Sequence, residues 1–296
     1  MKLGLGTVQF GLDYGITNRN GRPSQQEVQA MLAHATDRGV DLLDTAALYG
    51  DAESVLGIAL PRPHRFRIIT KTRPLNAALS PDDALADVVE GIDKSLANLQ
   101  EQTLYGLLVH RPNDLLGPQG DDLFCALAGQ KQAGRITKIG VSVYTADEAE
   151  EIAERHAIDL IQLPLNPLDQ RMVQSGTLAR LKHRGIEIHV RSAFLQGLLL
   201  SPVSQLPASL TGLEGRLNAW YELLDALGLS PLTAALGFLK GLGLVDAVIC
   251  GASTAAEWAE ITSAHAEAPA LPPERLKELS VRDDKLIDPR YWPSNR

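Results

Sequence analysis

Short runs rich in Val, Ile and Leu alternate along this chain with longer stretches whose apolar residues recur at helical spacing. The short runs carry little polar/apolar alternation, the pattern of strands covered on both faces, and the longer ones read as amphipathic helices. Strands are expected over residues 3–8, 40–43, 66–71, 104–110, 136–142, 159–164, 186–191 and 245–250. Helices are expected over 24–38, 51–59, 80–99, 121–133, 146–156 and 178–184, with an additional helix over 213–227 before a regular one starting at Pro231. The helix starts are chemically marked. Ser24 with Glu27 three positions on predicts a capping box, Gly39 closes that helix, and Ser80-Pro81-Asp82-Asp83 opens another with proline in its first turn. Residues 10–23 form a long Gly/Asn-rich loop.

Strands alternating with helices predict a parallel sheet. About eight such units in 296 residues fit a closed (β/α)8 TIM barrel better than an open Rossmann sheet. The N-terminal GLGTVQ also lacks the third glycine of the dinucleotide fingerprint and leads into a loop. No repeat or low-complexity linker marks a second domain, so residues 1–296 are read as one barrel domain with 266–296 as a C-terminal extension.

Composition narrows the partners. A formal net charge of -8 and a pI near 5.4, with no Lys/Arg run, argue against a nucleic-acid face. No apolar run approaches the roughly 18 residues of a membrane span, and the N-terminus MKLGLGTVQF lacks the charged and apolar regions of a secretory signal. The two cysteines, Cys125 and Cys250, show neither disulfide nor metal-ligand spacing, so no metal site is expected and a reducing cytoplasm is the natural compartment. The sequence leaves oligomeric state open.

Candidate chemistry gathers where strands stop. Asp44 ends the second apolar run and Tyr49 follows on its loop within DLLDTAALYGDAESVLG (41–57). Lys71 ends the third strand, and His110 ends the fourth before Arg111-Pro112 breaks it. Each alone has an ordinary explanation: a cap, a loop aromatic, a lysine snorkelling to solvent, a structural histidine. Together they occupy successive strand ends, and the C-terminal ends of barrel strands aim side chains into one bowl of loops.

In these residues the sequence resembles the aldo-keto reductases. The resemblance is carried by DTA-x-x-YG-x-x-E-x-x-LG (44–57), Lys71, His110, the GVS of 140–142, Gln162 and RSAFLQGLL (191–199), and extends over roughly residues 3–265. It implies the same barrel, although such enzymes often begin with a β-hairpin that caps the barrel bottom and here the first strand starts at once. Reducing a carbonyl requires a hydride on carbon and a proton on oxygen. A phenol in water, with pKa about 10, is a weak donor, and a nearby ammonium strengthens it. Tyr49 is therefore the expected proton donor, Lys71 the cation, Asp44 the partner that holds Lys71, and His110 the group that orients the substrate oxygen; the resemblance implies the same roles.

No side chain supplies a hydride, so a nicotinamide cofactor is required. The resemblance implies that Ser142 and Gln162 hold the carboxamide and that Arg191 lies beside the ring where relatives often carry an aromatic residue. It implies that Gly6, Thr7, Asp44, Ser192, Leu195 and Gly197 line the groove, and that Gly251, Ala252, Ser253, Thr254 and Glu260 meet the adenosine end. Val143 stands where an asparagine often follows the serine. Relatives mostly take NADPH through basic residues after strand eight, whereas this chain has Gly251, Ala252 and Glu257 there, which weakens the expectation of NADPH over NADH. The expected partner is a small-molecule carbonyl, with Phe10, Tyr14 and the 201–214 loop shaping its pocket. Two other readings stay open: an aldolase or isomerase using Lys71 as a Schiff base, and a cofactor-binding sensor without turnover.

Overall fold

In a barrel of parallel strands each strand sends alternate side chains inward, so register decides which residues meet in the lumen. The computed structural model describes residues 1–292. Its strands are β1 (Lys2–Gly6), β2 (Leu42–Asp44), β3 (Arg67–Lys71), β4 (Leu104–Val109), β5 (Ile136–Ser142), β6 (Leu160–Pro164), β7 (Glu187–Arg191) and β8 (Ala247–Gly251). They pair in chain order, all parallel, and β8 pairs with β1 to close the expected (β/α)8 barrel. Leu42, Ile69, Leu108, Leu160, Ala247 and Ile249 fill the lumen, separate from the larger apolar shell between sheet and helices.

The lumen is apolar in its middle and polar at both ends. At the N-terminal end Glu187 accepts a hydrogen bond from Tyr105 Oη (2.9 Å), lies 2.7 Å from His189 Nε2 and pairs with Lys138, while Arg67 sits over the Tyr105 ring. These side chains fill that end of the lumen. Burial of Glu187 opposes its charge, but His189, Lys138 and Tyr105 outweigh that and hold its pKa well below the usual carboxylate range.

Several boundaries differ from the sequence expectation. The first strand stops at Gly6 rather than Val8, because the chain turns at Thr7, whose N–H and Oγ1 both donate to the Asp44 carbonyl (2.9 and 3.1 Å). Val8–Gly11 is a short helix that buries Phe10 in the shell, which removes Phe10 from the pocket. Ser24 caps Gln25–Asp37 as expected, accepting from Glu27 N. The second half of that capping box does not form: the Glu27 carboxylate accepts instead from Ala255 N (2.5 Å), an orphan donor at the start of Ala255–Glu267, and so ties an early helix to a late one. Pro112–Leu116 and Arg171–Gln174 are too short to show periodicity in sequence.

Between β7 and β8 the chain makes three 3-10 turns, Leu195–Leu200, Val203–Gln205 and Ala208–Leu213, then the additional helix Glu214–Leu227 and Pro231–Leu242. Beyond Glu267 the chain packs back on the barrel: Leu271, Leu276, Leu279, Ile287 and Trp292 are buried, and Val281 N donates to Leu168 O (2.9 Å). Residues 293–296 of the expected extension lie outside the described residues. Among the described residues no single helix is long and apolar enough to cross a membrane.

Candidate active site

Lys71 is the least expected residue of the interior, an ammonium 1% exposed at the top of β3. A buried charge is tolerated only when paired and hydrogen-bonded. Its Nζ donates to Asp44 Oδ1 (2.6 Å) and to the Thr45 carbonyl (2.9 Å). Burial alone would lower its pKa, yet the Asp44 carboxylate and the Tyr49 phenol prevail, so the pKa is raised and Lys71 stays protonated. The second Asp44 oxygen accepts from Gln162 Nε2 (2.9 Å).

Tyr49 stands beside this pair, its ring centroid 4.8 Å from Lys71 Nζ. Two glycines aim it. A Cβ at Gly11 would lie 1.7 Å from the Tyr49 carbonyl, and Gly50, at φ +60°, would carry one 2.4 Å from the Gly11 carbonyl. The Tyr49 turn is thus pressed onto the first loop where only bare backbone fits. The helix after it, Ala52–Ala59, is anchored by buried Glu53, which accepts from Thr70 Oγ1 (2.6 Å) next to Lys71. Glu53 was part of the sequence motif without a role, and its contact makes it the strut between the two elements carrying Tyr49 and Lys71.

His110 follows β4 and meets Tyr49 edge to face, with centroids 6.0 Å apart. Burial first, then Lys71, Arg191 and Arg111, push its pKa down to about 3, so the imidazole is neutral over the working range. Its Nδ1 is buried without a partner, leaving Nε2 as the atom that can reach a ligand. In the unfolded chain this histidine titrates near its ordinary 6.5. Between about 3 and 6.5 only the unfolded form binds that proton, so stability should fall as pH drops below about 6.5. Urea midpoints measured from pH 7 to pH 4 should show this slope, and His110→Gln should flatten it.

Asp44, Tyr49 and His110 open on a cavity of ≈ 700 Å³, within the range of cofactor and ligand sites, about 300–1,000 Å³. Of the residues expected from sequence, Gly6, Thr7, Ser142, Gln162, Arg191, Ser192, Gly197, Gly251, Ala252, Ser253, Glu257, Glu260 and Tyr14 line it. Ser142 and Gln162 are register partners on β5 and β6. Besides Phe10, two residues expected to meet the cofactor do not line it. Leu195 is fully buried in the apolar shell, since the turn at φ +48° points its side chain away while Phe194 and Gln196 face the cavity. Thr254 spends its Oγ1 as the cap of Ala255–Glu267, accepting from Glu257 N (3.1 Å). Of the 201–214 loop, only Ser201 reaches the cavity.

Other lining residues were not foreseen. Tyr144 lies two positions beyond Ser142, and its ring is flanked by the guanidiniums of Arg191 (4.1 Å) and Arg290 (3.6 Å). Strand alternation beyond Ser142 could have found Tyr144, but nothing in sequence spacing could bring Arg290 there. Val143 is buried in the shell, and its carbonyl accepts from Arg191 Nη2 (3.0 Å). The first loop contributes Thr17, Asn18, Arg19 and Asn20.

The cavity suits an elongated polar cofactor. Gln9 Oε1 lies buried at its wall with no partner, an acceptor left for a donor of a bound group. Gln162 has turned its NH2 to Asp44, which leaves its oxygen for a carboxamide N–H. A Schiff-base lysine needs a lowered pKa and access, and Lys71 has neither.

A model of the Aldo/keto reductase family matches residues 2–280. The chain is 28% identical to 6-dehydroglucose reductase of Novosphingobium aromaticivorans, over 78% of each chain. It is 25% identical to the NADH-specific methylglyoxal reductase of Escherichia coli, over 69% of this chain and 67% of that one. The aldo-keto reductase AKR11C1 from Bacillus halodurans superposes with a TM-score of 0.75 over 94% of this chain and 91% of that one, at 22% identity.

Proposed function

The chain belongs to the aldo/keto reductase family of carbonyl-reducing oxidoreductases, and from that premise we propose that it reduces a small polar aldehyde or ketone, of sugar type, with Tyr49 as the proton donor. The observation that carries this reading is the buried Lys71–Asp44 pair beneath Tyr49, with a neutral His110 across the same opening.

A bound nicotinamide supplies the hydride. Ser142 and the Gln162 oxygen would hold its carboxamide, since Asp44 fixes the Gln162 amide in that sense by accepting from its Nε2 (2.9 Å). His110 Nε2 donates to the substrate oxygen and orients it; being neutral, it cannot compete as an acid at working pH. Tyr49 Oη gives its proton to that oxygen as negative charge develops there. Lys71 stabilises the phenolate left behind, and Asp44 keeps the ammonium charged and in place. A polar substrate fits the side chains around the opening, Tyr14, Tyr144, Arg191 and Gln196, and one relative is named for a dehydroglucose.

For the cofactor, the reading favours comparable use of NADH and NADPH or a lean to NADH. Glu257 Oε2 accepts from Ser253 N (2.8 Å), so a carboxylate covers the turn after β8 where a 2′-phosphate would need donors. Losing one charge-assisted bond costs about 1.5–3 kcal/mol, roughly tenfold or more in affinity. One experiment tests both parts: cofactor consumption and binding titration with NADH and NADPH across sugar and aliphatic carbonyls. Polar carbonyls should be turned over best with either cofactor. NADPH bound about a hundredfold tighter would overturn the cofactor reading, and turnover of none of the carbonyls would overturn the function.

A further inference from the structure

Charge is unevenly spread along the cavity. Glu257 and Glu260 line it beyond β8, whereas Arg191 lines the end where Tyr49 and His110 meet. Asp44, the carboxylate at that end, is already taken up by Lys71 and Gln162. Arg191 is half-buried and forms no ion pair among the described residues. Its Nη2 donates to the Val143 carbonyl (3.0 Å) and its Nη1 makes only a long bond to Ser192 Oγ (3.4 Å). Most of the five N–H groups of the fork are thus left without an acceptor among the described residues. The guanidinium is nevertheless fixed in place. It stacks 4.1 Å from the centroid of the Tyr144 ring, and Arg290, paired with Asp288 (2.6 Å), lies over the same ring at 3.6 Å.

Two neighbours strengthen this end. Tyr14 also lines the cavity, and burial raises its pKa against the opposing pull of Arg191, so its phenol stays neutral and able to donate. Arg111, the residue after His110, is exposed, and its side chain makes no hydrogen bond or ion pair among the described residues. Arg191 and Arg111 both lie near enough to His110 to help push its pKa down. A half-buried guanidinium with free donors has given up solvation that only a negative partner restores. The nicotinamide is not that partner, because its reduced ring is neutral and its oxidised ring is cationic. The missing anion therefore belongs to the substrate. A single planar fork matches a carboxylate, whereas a phosphate monoester, with close to two charges, calls for more cations than this one.

We propose that the substrate carries a carboxylate as well as its carbonyl, as an acidic sugar or an aldehyde acid does, with Arg191 as the residue that binds the carboxylate and Arg111 adding attraction from the surface. This rests on the carbonyl-reductase reading above, and the test separates the two. Glucuronate, glucose and glucose 6-phosphate share one aldehyde and differ at the far carbon, and succinate semialdehyde carries a carboxylate where butanal has a methyl group. kcat/KM is measured for each at saturating NADH or NADPH, in wild-type protein, Arg191→Gln, Arg191→Lys and Arg111→Gln. Wild type should prefer each carboxylate over its neutral counterpart about tenfold or more, the scale of one charge-assisted bond. Arg191→Gln should shrink that ratio to within about threefold and Arg191→Lys should keep much of it, because lysine retains the charge but loses the fork. Taking the ratio within one variant cancels any change in cofactor binding. Arg111→Gln should lower kcat/KM for the carboxylates about twofold, and added salt should shrink the wild-type ratio, since exposed charge is screened. Turnover of none of these compounds with either cofactor would sink the carbonyl-reductase reading itself. Glucose and butanal reduced as well as their acids would overturn the carboxylate, as would a preference for glucose 6-phosphate over glucuronate. A ratio unchanged in Arg191→Gln would remove Arg191 from its recognition.

Discussion

Replacing Tyr49 by phenylalanine should slow carbonyl reduction by a factor of about 100 or more while leaving fold and cofactor affinity in place. Phenylalanine keeps the ring that meets His110 edge to face and lies beside Lys71, and it leaves the Gly11–Gly50 backbone contact untouched. Only the hydroxyl is lost, and with it the proton for the developing alkoxide. The decisive measurement is single-turnover hydride transfer, with cofactor Kd measured alongside. A variant that transfers hydride at nearly the wild-type rate would rule out Tyr49 as the acid and pass that role to a bound water.

Lys71→Met should damage both chemistry and stability, and the two can be told apart. Removing the ammonium leaves Asp44 buried with only Gln162 to stabilise its charge. Breaking a buried pair from one side costs about 3–5 kcal/mol, which denaturant titration would show directly. Chemically, Tyr49 loses the cation that stabilises its phenolate, so the rate should fall and the pH at which reduction fails should move upward. The double variant Asp44→Asn, Lys71→Met removes the unpaired charge as well and should recover much of the stability without recovering activity. If the single variant loses stability and rate while its pH profile stays in place, Lys71 is a structural residue and the tuning argument fails.

Much of this was legible before any coordinates. The alternation of apolar runs with amphipathic stretches determined eight strand–helix units, because each element must hide one face and the period of apolar residues reports which kind of element does so. β5 falls on the residues read from the pattern, and Asp44, Lys71 and His110 stood out because a polar residue ending an apolar strand has no core to join. Closure was also implied by number and length, since that many parallel units in one chain leave few other arrangements.

What only the tertiary structure decided are contacts between residues far apart in the chain. Whether Glu27 returned to its own helix or capped the one starting at Ala255 depended on which orphan N–H lay nearer in space. Leu195 and Thr254 lay in the right loops but face away from the cavity, since side-chain direction in an irregular turn follows φ and ψ rather than any sequence period. Gln162 meeting Asp44, Arg290 stacking on Tyr144 and the first loop crossing to Gln196 join positions 118, 146 and about 180 residues apart. Local sequence encodes periodicity and turn chemistry over a few residues, whereas such meetings depend on closing the barrel, which brings all eight strand ends into one small ring.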